Sequence, residues 1–492
     1  MDERAKIPVS PPCANPTTSY WQDPPDALAD HRTTPDLPSS ADTVIIGSGI
    51  TGAAVAWGLL QSSNNNNNPG SILMLEARQA CSGATGRNEK GGHTKAASYL
   101  SFPHNRTAHS PATAAQIARL ELANIRAVHA FARDHALAVG DDCDLHPCDT
   151  IDVHYDPVQW REAVAAVEAM QREVFSTSSS SSEEGEGEMY RLFSTREVEE
   201  RFFVGSGEDG LRVQGGVGYF AGSLSAYKFG VGVLRLCLGK GLNLQTGTPV
   251  GGLNKEKEEE GGLWAVETPR GTVRAKRVVL ATNGYTAAVW PPFQGVVVPL
   301  RGQVTAQRPG KGMPLGGCLP TTYSFIYEKG YEYMVPRAEG SRFAGDIVMG
   351  GGLVRAPDDG LMEFGTTDDS ALNEGISEYL KETAPRYFGP SWGEDDPEGR
   401  VRSEWTGIMG FSPDGLPFVG EVPGESGLWV SCSFQGNGMV LCWMCARALV
   451  EMMEGRDSAE LREWFPDVFR ITQDRLAKRF RGRLGMVPKT RD

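Results

Sequence analysis

The stretch Asp42–Gln61, DTVIIGSGITGAAVAWGLLQ, decides the fold. Thr43 to Ile46 form a short apolar run rich in β-branched residues, Gly47, Gly49 and Gly52 follow as G-x-G-x-x-G, and an Ala/Val/Leu-rich run comes next. Strand, turn and helix in that order is the context a dinucleotide fingerprint requires. The first glycine permits the tight turn, the second lets backbone approach a pyrophosphate, and the third lets helix pack close to strand. The pyrophosphate then meets the positive start of the helix, in the segment holding Ser48, Ile50 and Thr51. A second strand, SILMLE, ends in Glu76, followed by Ala77, and 24 residues separate Gly52 from that carboxylate. The spacing is near the ~20 expected of an acid that binds ribose hydroxyls and repels a 2′-phosphate. The run Asn64 to Asn68 accounts for the excess.

Composition narrows the partners. With 492 residues and 40% hydrophobic residues the chain builds a substantial core, and its net charge of −14 argues against a nucleic-acid backbone or an anionic membrane surface, both of which need clustered cations. A small-molecule ligand is expected. Nine cysteines at irregular spacing form neither a disulfide framework nor a zinc pattern, so no metal site is expected and reduced thiols are. Cys442 and Cys445 interrupt an apolar helical run and read as small buried hydrophobes. No stretch resembles a signal peptide or approaches the ~20 apolar residues of a membrane span, so a soluble, intracellular and cytoplasmic protein is expected. The basic tail from Arg475 to Asp492 reads as a solvated helix end followed by a frayed terminus.

Along the chain, residues 1–40 read as a surface arm anchored by Tyr20 and Trp21. The runs Asn64–Asn68 and Ser178–Ser182 are loop expansions that point to a eukaryotic source. Helical spacing appears in PATAAQIARLELANIRAVHAFARDHAL and again in DPVQWREAVAAVEAMQREV. Leu145–Val153 reads as a strand, Ser223–Leu238 as a helix, Leu242–Val250 as a strand, Gly295–Leu353 as β-rich, and Ser370–Glu382 as a helix.

The segment after Glu76 selects among dinucleotides. CSGATGRNEKGGHT, Cys81 to Thr94, is an odd insertion for a nicotinamide dehydrogenase, but a flavin site has a use for it beneath the diphosphate and ring. Glycine allows close approach there, and Ser82, Thr85 and Arg87 reach phosphate or flavin edges. Downstream, Val278 to Ala281 reads as the strand by which the chain returns to the nucleotide domain, ending in Thr282, Asn283 and Gly284. Finally the loop Gln435–Gly438 leads into a helix expected from Met439, whose positive end suits a flavin edge that turns negative on reduction.

These segments together resemble the D-amino-acid oxidase-like superfamily of FAD-dependent oxidoreductases, from about Asp42 to Gly455. The most specific pieces are IIGSGITG, SGATGRN with GGH, VVLATNGYT, PLRGQV, WTGIMGFSPDGLPFVG and FQGNGM. The resemblance implies an α/β (mixed α+β) fold: a Rossmann-type FAD-binding domain assembled from residues 41–110, 205–290 and 400–455, and a substrate domain with a mixed or antiparallel sheet from 111–204 and 291–399, with 456–492 as a tail. It implies oxidation of a carbon–nitrogen bond of an amine or amino-acid-like substrate, with hydride passing to flavin N5 and O2 as acceptor giving H2O2. Its rivals are a dehydrogenase using another acceptor and an FAD-retaining protein whose substrate site is closed. Carried over by position, Gly47, Gly49, Gly52 and Glu76 match the adenine-dinucleotide contacts. Ser82, Gly83, Thr85, Gly86, Arg87, Asn88 and His93 match the segment under diphosphate and flavin, and Val250 a backbone contact near adenine. Gly410 and Asp414 belong to the same cofactor-binding set, and Gly436, Asn437, Gly438 and Met439 to the pyrimidine-edge loop.

Three departures stand out. Glu89 and Lys90 are inserted in a motif that many relatives read as G-R-N-G-G-H. Gly407 falls where some relatives attach flavin through cysteine, so FAD is expected to be non-covalent. Met334 falls where that branch has a lysine associated with oxygen activation. For substrate recognition, Arg301 and Gln303 in PLRGQV and Tyr327, Tyr331 and Tyr333 in the aromatic β segment are the candidates. The competing readings are an arginine paired with the fold's own acids and tyrosines that pack a sheet. His93 either contacts flavin, acts as a base, or is merely hydrogen-bonded in a buried loop.

Overall fold

The computed structural model describes residues 1–62, 70–88, 92–136, 141–175, 189–205, 211–256 and 262–483. The runs at 64–68 and 178–182, the Glu89–Lys90 pair and residues 484–492 lie outside the described residues.

Among the described residues sixteen strands form two mixed sheets. The first runs β15 (Phe418–Glu421), β16 (Leu428–Cys432), β9 (Gly271–Leu280), β1 (Ser40–Ile46), β2 (Ile72–Leu75) and β6 (Asn243–Gln245), with the antiparallel pair β7 (Gly252–Lys255) and β8 (Trp264–Thr268) added to β9. The second runs β14 (Val401–Phe411), β10 (Val298–Gln307), β13 (Ile347–Gly350), β12 (Gly330–Pro336), β11 (Thr322–Tyr327), β3 (His146–His154), β5 (Gly215–Ser223) and β4 (Tyr190–Ser194).

Register in the first sheet places the site. β1 is parallel to β2 with Ile46 opposite Leu75, and to β9 with Ile46 opposite Leu280. β16 is parallel to β9, with Val430 opposite Leu280. Four strands therefore end side by side, at Gly47, Glu76, Ala281 and Ser433, and the carboxyl edge of such a sheet is where doubly wound folds bind ligands.

Both faces of that sheet are covered. Val44 and Ile46 pack with Val278 and Leu280 on one side. Ile45 faces the other core, shared by helices α1 (Ile50–Ser62), α2 (Pro111–Asp134), α3 (Ala226–Leu238) and α5 (Cys442–Met453). Helix α2 sets Ile117, Leu120, Ile125 and Val128 into this core, at helical spacing, so its apolar stripe packs beside the nucleotide fingerprint. In the second sheet, Tyr323, Phe325 and Met334 pack against Tyr387 and Phe388 of α4 (Glu374–Phe388).

Element ends differ from the sequence reading for local reasons. β5 runs on to Ser223, and α3 begins only at Ala226 because the Ser225 side chain caps it by accepting from Lys228 N. The strand expected over Leu242–Val250 stops at Gln245, before a turn in which Gly247 has φ +57°. Helix α4 is shifted toward the C-terminus and starts after Asn373, whose side chain accepts from Ile376 N. Gly438–Val440 is a single 3₁₀ turn, and the α-helix expected from Met439 starts at Cys442. The tail is not a solvated helix end over its described part: Arg475 and Phe480 are buried.

Candidate functional site

The fingerprint turn is built by close packing. Gly47 has φ +102°, and a Cβ there would lie 2.6 Å from Ala281 O. A Cβ on Gly52 would lie 2.0 Å from Gly47 O, so only glycine lets α1 seat against the turn. Glu76, at the end of β2, accepts from Ser48 N at 3.1 Å, Ser48 Oγ at 2.6 Å and Arg78 N at 2.9 Å. A carboxylate has about four lone-pair sites, so capacity remains for a ribose hydroxyl.

A cleft with about 1450 Å³ of space, open solvent at its mouth included, runs along the carboxyl ends of these strands. Gly47, Ser48, Gly49, Ile50 and Thr51 line it from the fingerprint, and Glu76 and Ala77 from the end of β2. Gly83, Thr85, Arg87 and Asn88 form part of its floor, with Thr85 Oγ1 accepting from Ile50 N at 3.0 Å. Val250, Ala281, Thr282 and Asn283 add another wall, and Gly436, Gly438 and Met439 close the far end. Backbone strain gathers here: Cys81, Asn283, Ser433 and Gln435 are non-glycine residues with positive φ. Such strain persists only where surrounding structure over-determines it. Asn283 shows how, since its side-chain oxygen accepts from Ser433 N at 3.0 Å and ties the return strand to the last segment.

Other expected residues sit outside the lining. Gly52, Gly284 and Gly410 are packing glycines; a Cβ on Gly284 would lie 2.4 Å from Met409 O, and one on Gly410 2.8 Å from Gly284 N. The Gly86 carbonyl accepts from Ser19 Oγ and Gln22 Nε2 at 2.7 and 2.8 Å. Ser82 is buried, and its hydroxyl has no partner among the described residues. Asn437 lies between lining residues without lining the cleft itself. Asp414 is drawn away into a pair with Arg475 at 2.9 Å, joined by Lys478 at 3.3 Å. Burial opposes ionisation of Asp414, but the two cations outweigh it and hold the carboxyl below its ordinary range.

The substrate candidates are not brought together at the cleft. Arg301 makes a fork with Glu363, at 2.7 and 3.2 Å, which is the pairing of an arginine with the fold's own acid. Tyr327 donates to buried Glu332 at 2.5 Å, and Tyr387 donates to the same carboxyl at 2.6 Å. Tyr333 is buried in β12. His93 is buried in a loop, bridged to Ser223, with its Nε2 hydrogen-bonded to Thr322 Oγ1. Met334 is packed in a core away from the cleft lining.

Several lining residues escaped the sequence reading. Arg78 carried a signal, standing two positions after Glu76; Ile408, Met409 and Phe434 lie inside motifs that were noticed. Pro11 and Pro12 of the arm carried none. Asn124 of α2 is fully buried, donates to Met439 O at 3.0 Å and accepts from Met444 N at 2.9 Å, so it fixes the turn at the cleft's far end. Cys442 also lines the cleft, and burial pushes its thiol up to about 12.

The donor set fits an adenine dinucleotide: a glycine cradle, a helix start, and a carboxylate at the neighbouring strand end. Tyr285, also in the lining, has a buried hydroxyl with no partner among the described residues. An unmet group of that kind costs about 1–3 kcal/mol, which a bound polar ligand relieves. Fold and cleft together define a dinucleotide-binding protein of mixed α/β architecture. The chain belongs to the DAO family, FAD dependent oxidoreductase, whose pattern matches residues 42–452. It is 28% identical over 194 residues to a glycine oxidase of Pseudomonas aeruginosa, covering 39% of this chain and 45% of that one. It is 27% identical over 243 residues to a D-amino acid dehydrogenase of Cereibacter sphaeroides, covering 48% of each. The chain thus spans less than half the length of these two relatives. The solved glycine oxidase of Geobacillus kaustophilus shares the fold, with a TM-score of 0.66 at 20% identity over 88% of this chain and 99% of that one. The bacterial relatives lend no support to the eukaryotic source suggested by the homopolymeric runs. Among the described residues no helix is long and apolar enough to cross a membrane.

Proposed function

We propose that the chain oxidises a carbon–nitrogen bond of an amine or amino-acid-like small molecule, with FAD held non-covalently and O2 as acceptor, giving H2O2. The observation that carries the reading is the continuous cleft from Glu76 through the glycine turn to Gly436–Met439. The activities of the relatives, glycine oxidase and D-amino acid dehydrogenase, agree with it in substrate class.

When bound, FAD supplies a two-electron acceptor for hydride from the carbon beside nitrogen, and the resulting imine hydrolyses in water. The chain's part is binding and orientation. Glu76 accepts from ribose, and the start of α1 faces the diphosphate. The segment Gly83–Asn88 would hold the cofactor from the cleft floor, and Asn124 keeps the Gly438–Met439 turn in place, where the pyrimidine edge would bind. Non-covalent attachment is supported by Cys442, the one cysteine lining the cleft among the described residues; its thiol stays protonated near neutral pH, and thiolate is the reactive form.

In the proposed domain division, 41–110, 205–290 and 400–455 hold FAD, and 111–204 and 291–399 meet the substrate, although α2 within the latter packs in the core beside the fingerprint. The nine cysteines form no disulfide among the described residues, which favours an intracellular setting. A second reading is a dehydrogenase passing electrons to another acceptor. The D-amino acid dehydrogenase among the relatives agrees with that reading.

The test is the visible spectrum of the purified protein, before and after acid precipitation, followed by anaerobic titration with glycine, sarcosine, D- and L-amino acids and simple amines. Yellow bands released by acid and bleached by one amine support the proposal. Rapid recolouring in air with peroxide release favours the oxidase, and recolouring only with an added dye favours the dehydrogenase. Bands that no amine bleaches overturn the assigned activity.

A further inference from the structure

The family pattern begins at residue 42, yet Pro11 and Pro12 line the cleft. The arm that carries them is bound into the cleft floor at Thr17. Its N–H donates to Asp369 O at 2.8 Å. Its hydroxyl donates to the same carbonyl at 3.1 Å and accepts from Thr406 N at 3.0 Å. The Arg87 guanidinium donates to both the Thr17 carbonyl and the Thr17 hydroxyl, while its Nε donates to Thr406 O at 2.6 Å. Arg87 is itself buried, lines the cleft, and lies 3.4 Å from the Asp369 carboxylate.

The next residues of the arm hold the neighbouring peptide. Ser19 and Gln22 both donate to Gly86 O, and the Tyr20 ring stacks on Trp405 at 6.0 Å. Gly86 and Arg87 therefore take their positions from a segment outside the family's own module. A guanidinium with this many fixed acceptors loses little further freedom when an anionic group arrives.

We propose that Pro11–Gln22 is an added wall of the FAD site and that Thr17 is a positioning residue for the cofactor, acting through Arg87. The ligand chemistry is that of the dinucleotide already assigned to this cleft, so the inference rests on FAD binding by this chain. The arm and the cofactor then stabilise each other, because each orders groups the other uses.

The test uses the full chain stripped of FAD and titrated with it, with flavin fluorescence as readout. Thr17→Val removes the hydroxyl at nearly constant volume and is expected to raise the FAD Kd about tenfold, the scale of one lost charge-assisted hydrogen bond. Thr17→Ser keeps the hydroxyl and is expected to restore the affinity, a rescue that a purely space-filling role does not produce. On the unmodified chain, amide exchange across Pro11–Gln22 is expected to slow about tenfold or more when FAD is added; this decides the matter even where the valine variant does not fold. Unchanged FAD affinity in Thr17→Val, or arm exchange indifferent to FAD, overturns the inference alone. Failure of the unmodified chain to bind FAD overturns it together with the proposed function.

Discussion

Arg78 lies 3.0 Å from the carboxylate of Asp369, with the Arg78 side chain 9% and the Asp369 side chain 0% exposed. Arg87 approaches the same carboxylate from the cleft floor. One buried acid thus answers two guanidiniums. Removing its charge leaves both without compensation, and breaking a buried pair on one side costs about 3–5 kcal/mol. Asp369→Asn is expected to lose that much stability in urea unfolding, with added FAD restoring part of it.

Glu76 holds three donors on one carboxyl. Glu76→Ala leaves them unmet and removes the ribose acceptor. At about 1.5–3 kcal/mol for a hydrogen bond to a charged group, FAD affinity is expected to fall roughly 10- to 100-fold, read by fluorescence titration. Unaltered affinity would remove Glu76 from the cofactor site.

Gly52→Ala tests the seat of the helix. Its Cβ would meet backbone, Gly47 O at 2.0 Å and Gly47 C at 3.1 Å, and backbone cannot swing aside as a side chain does. The helix must shift, so FAD uptake is expected to fail and the melting temperature to fall. Gly83→Ala, whose Cβ meets nothing within 4 Å, serves as the companion variant on the cleft floor, with folding expected to be unchanged.

His129 and His154 set the acid limit of the fold. Burial lowers both rings from 6.5 to about 4, against the pull of Asp152 at His154 and with the help of Arg133 at His129. Between those values the unfolded chain binds more protons than the folded one, so stability falls as pH drops from 6.5 toward 4. Each ring accounts for a loss on the order of 3 kcal/mol. Unfolding free energies measured from pH 7 to pH 4 are expected to show that slope, and His129→Gln to flatten it. A flat profile would show that both rings titrate normally in the fold.

What the sequence disclosed follows the range of the interactions involved. The turn at Gly47–Gly52 and the acid at Glu76 are local, written in spacing that any strand–turn–helix must obey. The partner of Arg301 is not: Glu363 lies 62 positions away, and nothing in PLRGQV distinguishes an arginine that meets substrate from one that meets an acid of the fold itself. Tyr327 poses the same problem, since alternate tyrosines pack a strand whether or not they face a ligand. Asp414 was drawn to Arg475 across 61 positions. Helix ends were displaced by single caps, as at Ser225 and Asn373, which weigh little in a periodicity argument but decide where a backbone turns.

The contact between Thr17 and Thr406 spans 389 positions. During synthesis the arm leaves the ribosome while the strand that receives it is not yet made. At about 5–20 residues per second, roughly 20–80 s pass before Thr406 exists. The arm is therefore able to dock there only once most of the chain has been made, and the cleft gains the wall at Pro11 and Pro12 no earlier than the strand that carries Thr406.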